Sequence, residues 1–318
     1  MNVLVVGGAG YVGGAVTDLL AERGVPLRVY DALLYEEIYR KPVDFVYGDI
    51  RDHERLLPHL EWADAVIWLA ALVGDGACAL HPEVSTEVNQ EAVAWLSKSF
   101  NGRIVFMSTC SVYGAQDDEV DENSPVNPLS VYAATKLGAE KYLRDKNAIV
   151  FRLGTLFGVG DRFSRLRLDL VLNVLTVRAF MHGKVTVFGG TQFRPLLHVR
   201  DVGRAAVLAL ESEQTGIFNL NRENVRIIDL AYQVRNHFPG LKIEATEMHF
   251  QDARNYRAGS GKAERELGFR PRYSIDDGIE EIKELLTSRR LRDVDNPRYT
   301  NQQFLSMFNT HLEWEKRR

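Results

Sequence analysis

Val3-Leu-Val-Val6, Gly7-Gly-Ala-Gly10-Tyr-Val-Gly13 and the run that follows to Arg23 decide the fold. Four apolar residues, three of them β-branched, read as a short buried strand. Tyr11–Arg23 carries apolar residues at helical spacing and stops at Gly24. Between strand and helix, Gly7, Gly10 and Gly13 are spaced GxxGxxG. Glycines there permit a tight turn and let backbone approach a pyrophosphate. The N–H groups of Gly10, Tyr11, Val12 and Gly13 then face it at the positive end of the helix. Such a pattern alone also marks ordinary turns. Its position between strand and helix supports the phosphate reading. So does Asp31, which ends the next strand 18 residues after Gly13. A carboxylate there accepts hydrogen bonds from both ribose hydroxyls and repels a 2′-phosphate, so the cofactor expected is NAD. Arg28, on the same strand, is the one feature nearby that suits NADP.

Outward from this unit the alternation continues. Leu27–Tyr30, Asp44–Tyr47, Ala65–Leu69 and Arg103–Met107 read as strands, with helices expected over His53–Leu60, Val84–Phe100 and Val131–Lys146. Units of 20–30 residues predict an α/β fold, a doubly wound parallel (Rossmann) sheet with ligands outside its C-terminal strand ends. After Phe151–Phe157 the pattern breaks into shorter mixed elements. The expected division is an NAD-binding domain over 1–160 and a smaller α+β substrate domain over 161–318. Segments around 185–222 are expected to return to the sheet.

Composition bounds the function. The 318 residues suggest about two domains at roughly 150 residues each. With 45% hydrophobic and 26% charged residues the chain suits a globular enzyme, and a net charge of −4 offers no polycation for nucleic acid or an anionic membrane. No apolar run approaches the ~20 residues of a membrane span. Met1–Asn2 leads straight into the first strand, which does not read as a signal peptide. Cys78 and Cys110 are the only cysteines, so neither a disulfide framework nor a cysteine zinc site is expected, and a reducing cytoplasm is the expected setting. The eight histidines show no metal-ligand spacing, and His198 reads as a strand residue.

Tyr132-Ala-Ala-Thr-Lys136 places a phenol and an ammonium four apart on one helical face. With 12 tyrosines and 10 lysines, about 0.4 such pairs arise by chance, and Tyr142–Lys146 is a second one on the same helix. Ten residues along, it lies ~15 Å away and turned by ~80°, so the two cannot serve one site. Tyr132 is preferred because it opens the helix near the strand ends, where Ser108-Thr109 also emerge. A phenol acting as base near pH 7 needs a shift of ~3 pKa units, which one cation at ~4 Å can supply. Lys136 and an oxidised nicotinamide are the cations expected, and Thr109 can relay a hydroxyl proton to Tyr132.

Together these residues resemble the extended short-chain dehydrogenase/reductase family, in its NAD-dependent nucleotide-sugar epimerase/dehydratase branch. The resemblance covers nearly the whole chain: Gly7–Gly13, Asp31, Gly48-Asp49-Ile50, Leu69-Ala70-Ala71, Ser108–Gly114, Tyr132–Lys136 and Arg194–Asp201. It implies Tyr132 as base, Lys136 on the nicotinamide ribose and Thr109 as helper. Asp49 and Ile50 would meet the adenine, and Leu69, Ala70, Ala71, Asn89 and Ser108 would complete the cofactor site. The implied substrate is a nucleoside diphosphate sugar, contacted by Thr109, Cys110, Tyr132, Thr155, Asp169, Asn173, Arg194 and Arg254. A homodimer is also implied. Where 4,6-dehydratases carry Asp-Glu after the catalytic Thr, this chain has Cys110-Ser111. Dehydration is thereby disfavoured, which leaves 4-epimerisation or a net redox change at C4. The stretches Ala71–Gly74 and Arg165–Asn173 resemble a subgroup that includes GDP-heptose 4-dehydrogenases. A cofactor sensor without chemistry is the reading from another class, and the presence of both Tyr132 and Lys136 counts against it.

Overall fold

The computed structural model describes residues 1–163, 165–246 and 255–307. The first half holds β1 (Val3–Val6), α1 (Tyr11–Glu22), β2 (Leu27–Asp31), β3 (Asp44–Tyr47), α2 (His53–Trp62), β4 (Ala65–Trp68), α3 (Asp75–Leu80), α4 (Pro82–Thr86), α5 (Ala92–Ser99), β5 (Arg103–Thr109), β6 (Glu119–Val120), α6 (Val131–Leu143) and β7 (Ala148–Leu153). The second half holds β8 (Thr155–Phe157), α7 (Val171–His182), β9 (Lys184–Phe188), β10 (Phe193–His198), α8 (Val199–Glu211), β11 (Gly216–Leu220), β12 (Glu223–Arg226), α9 (Ile227–His237), β13 (Lys242–Thr246), β14 (Arg257–Ala258), α10 (Gly261–Leu267), α11 (Ile275–Thr287) and α12 (Asn301–Leu305).

Seven strands form one parallel sheet in the order β11-β7-β5-β4-β1-β2-β3. β1, β4, β5 and β7 are buried along their whole length, because helices cover both faces and leave no strand position for water. On one face the core gathers Leu4, Val6, Val66, Trp68 and Phe106 under α2, α5 and α6. On the other, Val3, Val5, Val105 and Phe151 meet α1 and α8. α8 crosses α1 closely, and a Cβ on Gly203 would lie 3.0 Å from the Ala15 carbonyl.

Of the segments expected to rejoin the sheet, α8 and β11 do. β9 and β10 stay outside, β9 pairing with β13 and β10 with β8 and β12. The apolar sides of these strands are covered by α7, α9 and α11, which gives them a core of their own around Leu172, Val187, Leu196 and Ile279. The helix expected over Val84–Phe100 is also interrupted. A π-helical turn at Glu87–Glu91 separates α4 from α5, and the widened turn aims Asn89 inward.

A buried ion pair joins the helix of the Tyr–Lys motif to the sheet. Glu140 on α6 takes both branches of the Arg152 guanidinium, with Nη2 to Oε2 at 2.7 Å, and accepts the Ser108 hydroxyl at 2.5 Å. Arg152 also donates to the Tyr113 hydroxyl, which donates on to Asn219 of β11. Each member is almost without solvent, so removing one charge strands the other. Glu140→Gln is expected to cost about 3–5 kcal/mol of stability. Urea denaturation measures this, and an unchanged midpoint would show that the pair contributes nothing.

Candidate active site

The C-terminal ends of β1, β2 and β4 open a cleft lined by Gly7, Gly10, Asp31, Asp49, Ile50, Leu69, Ala70 and Ala71 among others, with a cavity volume of about 150 Å³. It sits where the strand order reverses, between β1 and β4, the place at which open α/β sheets take ligands. Gly7 has φ +84°, and a Cβ on it would stand 2.3 Å from the Ala70 nitrogen, so only glycine lets β1 turn under the β4 loop. A Cβ on Gly10 would meet only the Gly7 carbonyl, at 3.3 Å, and would otherwise fill the cleft. Gly10 caps α1 without a side-chain hydrogen bond, and no acidic residue lies in the first turn. The first N–H groups of that helix are therefore available to an anion.

At the far wall the Asp31 carboxylate accepts the N–H of Ala9 at 2.9 Å and of Leu33 at 2.7 Å. Burial raises its pKa against the pull of those two bonds. Arg28 turns away: it pairs with Asp44 at 2.6 Å and lies over the Trp62 ring. The cleft thus fits NAD, with phosphates at the helix terminus and ribose at Asp31, and nothing from Arg28 offered to a 2′-phosphate. Ile50 lines the cleft, while the Asp49 carboxylate is held by Arg51 at 2.8 Å. Val12 is half-buried behind the loop, and the Tyr11 hydroxyl donates to the Gly158 carbonyl at 2.7 Å.

Asn89 sits behind the cleft wall. Its amide accepts from Leu72 N at 2.8 Å, donates to Leu72 O at 2.9 Å and reaches Thr135 on α6 at 3.3 Å. It clamps the loop after β4 to the helix of the Tyr–Lys motif, a job the π turn makes possible. Ser130 caps α6, accepting from Ala133 N, and donates to Asp75 at 2.6 Å. This cap fixes Tyr132 in the first turn.

The Thr109 side chain neighbours the Tyr132 phenol and draws its pKa down, and Thr109 Oγ1 accepts the Ser111 N–H at 3.1 Å. Burial pushes the Tyr132 phenol well above its usual range, and among the charges near it Arg167 pulls it down. Lys136 is buried with its Nζ 4.6 Å from the centre of the Phe106 ring, and burial lowers its pKa to about 8. The expected Tyr132–Lys136 coupling is thus not the leading electrostatic effect in the protein alone. Desolvation outweighs it for both groups. The competing pair is out of play: Tyr142 is 42% exposed, α6 ends at Leu143, and Lys146 bonds Asn101 at the surface.

Two expected contacts turn elsewhere. Cys110 is fully buried, its S–H donating to Arg152 O at 3.2 Å, because it faces the core of Val112, Tyr113 and Tyr256. Burial raises its thiol pKa. The Ser108 hydroxyl goes to Glu140 rather than the cleft, leaving only its backbone at the strand end. Thr155 opens β8 opposite Leu196. Asp169 pairs with Arg167 at 2.8 and 3.0 Å and accepts Asn301 N. Asn173 accepts Gly158 N and donates to Arg167 O at 2.7 Å. Arg194 is buried on β10 and donates to Phe193 O, and Arg254 lies outside the described residues. His198 accepts Arg200 N on Nδ1 at 3.1 Å, so Nε2 carries the proton that meets Glu281 at 2.9 Å, a capping role.

A cleft shaped for a dinucleotide, with a phenol held beside it at the strand ends, is the build of a Rossmann enzyme that works through bound NAD. Residues 3–220 match the model of the NAD dependent epimerase/dehydratase family, and the chain belongs to that family. It is 30% identical over 319 residues to the UDP-glucose 4-epimerase of Lactobacillus helveticus, covering 88% of this chain and 95% of that one. Among solved structures it is similar to the Thermus thermophilus UDP-glucose 4-epimerase complex with NAD (TM-score 0.78, 25% identity, 90% of this chain and 99% of that one). It is similar too to the dTDP-glucose 4,6-dehydratase of Streptomyces venezuelae with NAD bound (TM-score 0.78, 27% identity, 94% and 100%). No helix among the described residues is long and apolar enough to cross a membrane.

Lys136 gives a test with a defined sign. Its pKa falls from the ordinary 10.5 to about 8 on folding, so at pH 7 the fold carries the cost of a buried ammonium. Between pH 8 and 10.5 the unfolded chain binds the extra proton, and stability rises with pH as that cost is relieved. Lys136→Met is therefore expected to stabilise the NAD-free protein at pH 7, by on the order of 3 kcal/mol, while abolishing turnover. Thermal unfolding across pH 7 to 10 should show the gap to the native protein narrowing. A constant gap would place the cost elsewhere.

Proposed function

We propose that the protein is an NAD-dependent nucleotide-sugar 4-epimerase. The observation that carries this reading is the environment after Thr109. Cys110 is sealed in the core and Ser111 follows it, so the two positions after Thr109 supply no carboxylic acid–carboxylate pair to eliminate water. The remaining machinery suits one proton and one hydride at a single sugar carbon. The names of the epimerase relatives support the same choice and make a uridine diphosphate sugar the first substrate to try.

In this reading Tyr132 takes the proton of the sugar 4-hydroxyl while Thr109 holds that hydroxyl in line. Gly7, Gly10 and Asp31 would hold NAD in the cleft, where it would supply a reversible hydride acceptor for C4. The positive charge of Lys136 and of the oxidised ring offsets the burial that otherwise keeps the phenol protonated. Homodimerisation in the cytoplasm belongs to this reading, with the exposed α6 residue Tyr142 on a face suited to a partner helix.

A second reading, net oxidation at C4 by a dehydrogenase, draws on the likeness of Arg165–Asn173 to GDP-heptose 4-dehydrogenases. A panel of nucleotide sugars, followed at 340 nm with product stereochemistry, separates the two. The expected result is a C4-inverted product without accumulating NADH. Stoichiometric NADH with a 4-keto product would overturn the epimerase. Tyr132→Phe is expected to lower turnover at least a hundredfold while NAD binding is spared.

A further inference from the structure

The dinucleotide cleft contains a buried cation with donor capacity to spare. Its charged lining residues are Asp31, Glu36, Asp49, Arg51 and Arg165. Arg51 is committed to Asp49 and Glu87. Arg165 is only 5% exposed, its guanidinium stacks on the Tyr35 ring at 3.7 Å, and its Nε donates to the Arg298 carbonyl. Its Nη2 is buried and makes no hydrogen bond among the described residues. Asp169, a nearby carboxylate, is already taken bidentately by Arg167. A buried guanidinium left with an open donor is costly unless an anion completes it.

NAD brings one anionic group, its diphosphate. At the glycine loop α1 offers N–H groups but no basic side chain in its first turn. Asp31 disfavours the alternative anion, a 2′-phosphate. The loop that carries Arg165 is also tied across the cleft. Leu168 N donates to Tyr299 O at 2.9 Å, and Asn301 N donates to Asp169 at 2.9 Å. From the same terminal segment Arg298 pairs with Glu37 after β2, and Asn301 Nδ2 reaches Val73 O after β4 at 2.7 Å. Residues 165–169 and 298–301 thus link both walls of the cleft.

We propose that Arg165 is the side-chain cation for the diphosphate of the bound dinucleotide, and that the tied segments 165–169 and 298–301 form a strap that retains the cofactor between turnovers. This rests on NAD use and not on the epimerase reading, since binding is measured without sugar. Full-length protein freed of NAD is titrated with NADH by fluorescence, with ADP-ribose and adenosine as competitors. Arg165→Met, which keeps the stem on Tyr35, is expected to weaken NADH and ADP-ribose alike by roughly ten- to a hundredfold, and to leave adenosine unchanged. Arg165→Lys restores the charge and should lie between the two. Unchanged NADH affinity in Arg165→Met, an equal loss for adenosine, or a loss in Arg165→Lys as large as in Arg165→Met would overturn the proposal.

Discussion

The contact on which the rest depends is backbone against backbone, Gly7 under Ala70. β1 and β4 are neighbours in the sheet, but their following chains leave toward opposite faces, and the crevice between them is the cleft that fits a dinucleotide. Gly7 must turn in the left-handed region with no side chain at all, or the Ala70 loop is pushed outward and the cleft changes shape. The start of α1, Asp31 and the wall Leu69–Ala71 all take their positions from that turn.

Burial sets the chemistry around α6. Lys136 and Glu140 are buried and Tyr132 half-buried beside them, and desolvation raises the phenol and lowers the ammonium. Such groups are held in place by a scaffold strong enough to bear the cost: the Ser130 cap, the Asn89 clamp and the Glu140–Arg152 pair. Tyr132, Lys136 and Glu140 recur every four residues, so one helix face carries the phenol, the buried ammonium and the anchor to the sheet.

The second half of the chain is more than a substrate wall. β11 extends the sheet and receives the far end of the buried polar network through Asn219, while the segment before α12 crosses back to the cofactor cleft. Two parts that look sequential in the chain are therefore interlocked in space, and hydrogen bonds tie the C-terminal segment to the loops around the cleft.

The α/β alternation, the glycine turn and NAD were legible in the sequence, and so were the positions of Asp31 on the cleft wall and of Tyr132 in the first turn of α6. Each rests on local spacing, which a strand or helix converts into geometry by a fixed rise and twist. Tertiary structure alone decided the π turn that aims Asn89, the retreat of Ser108 and Cys110 into buried contacts, and the exclusion of β9 and β10 from the main sheet. It also decided the burial of Arg165 against Tyr35 at the cleft wall, which the sequence shows only as one basic residue among several. Spacing carries no information about which distant residue a side chain meets. Pairings such as Ser108–Glu140, Asp169–Asn301 and Val73–Asn301 span tens to hundreds of residues, and only the folded chain brings them together.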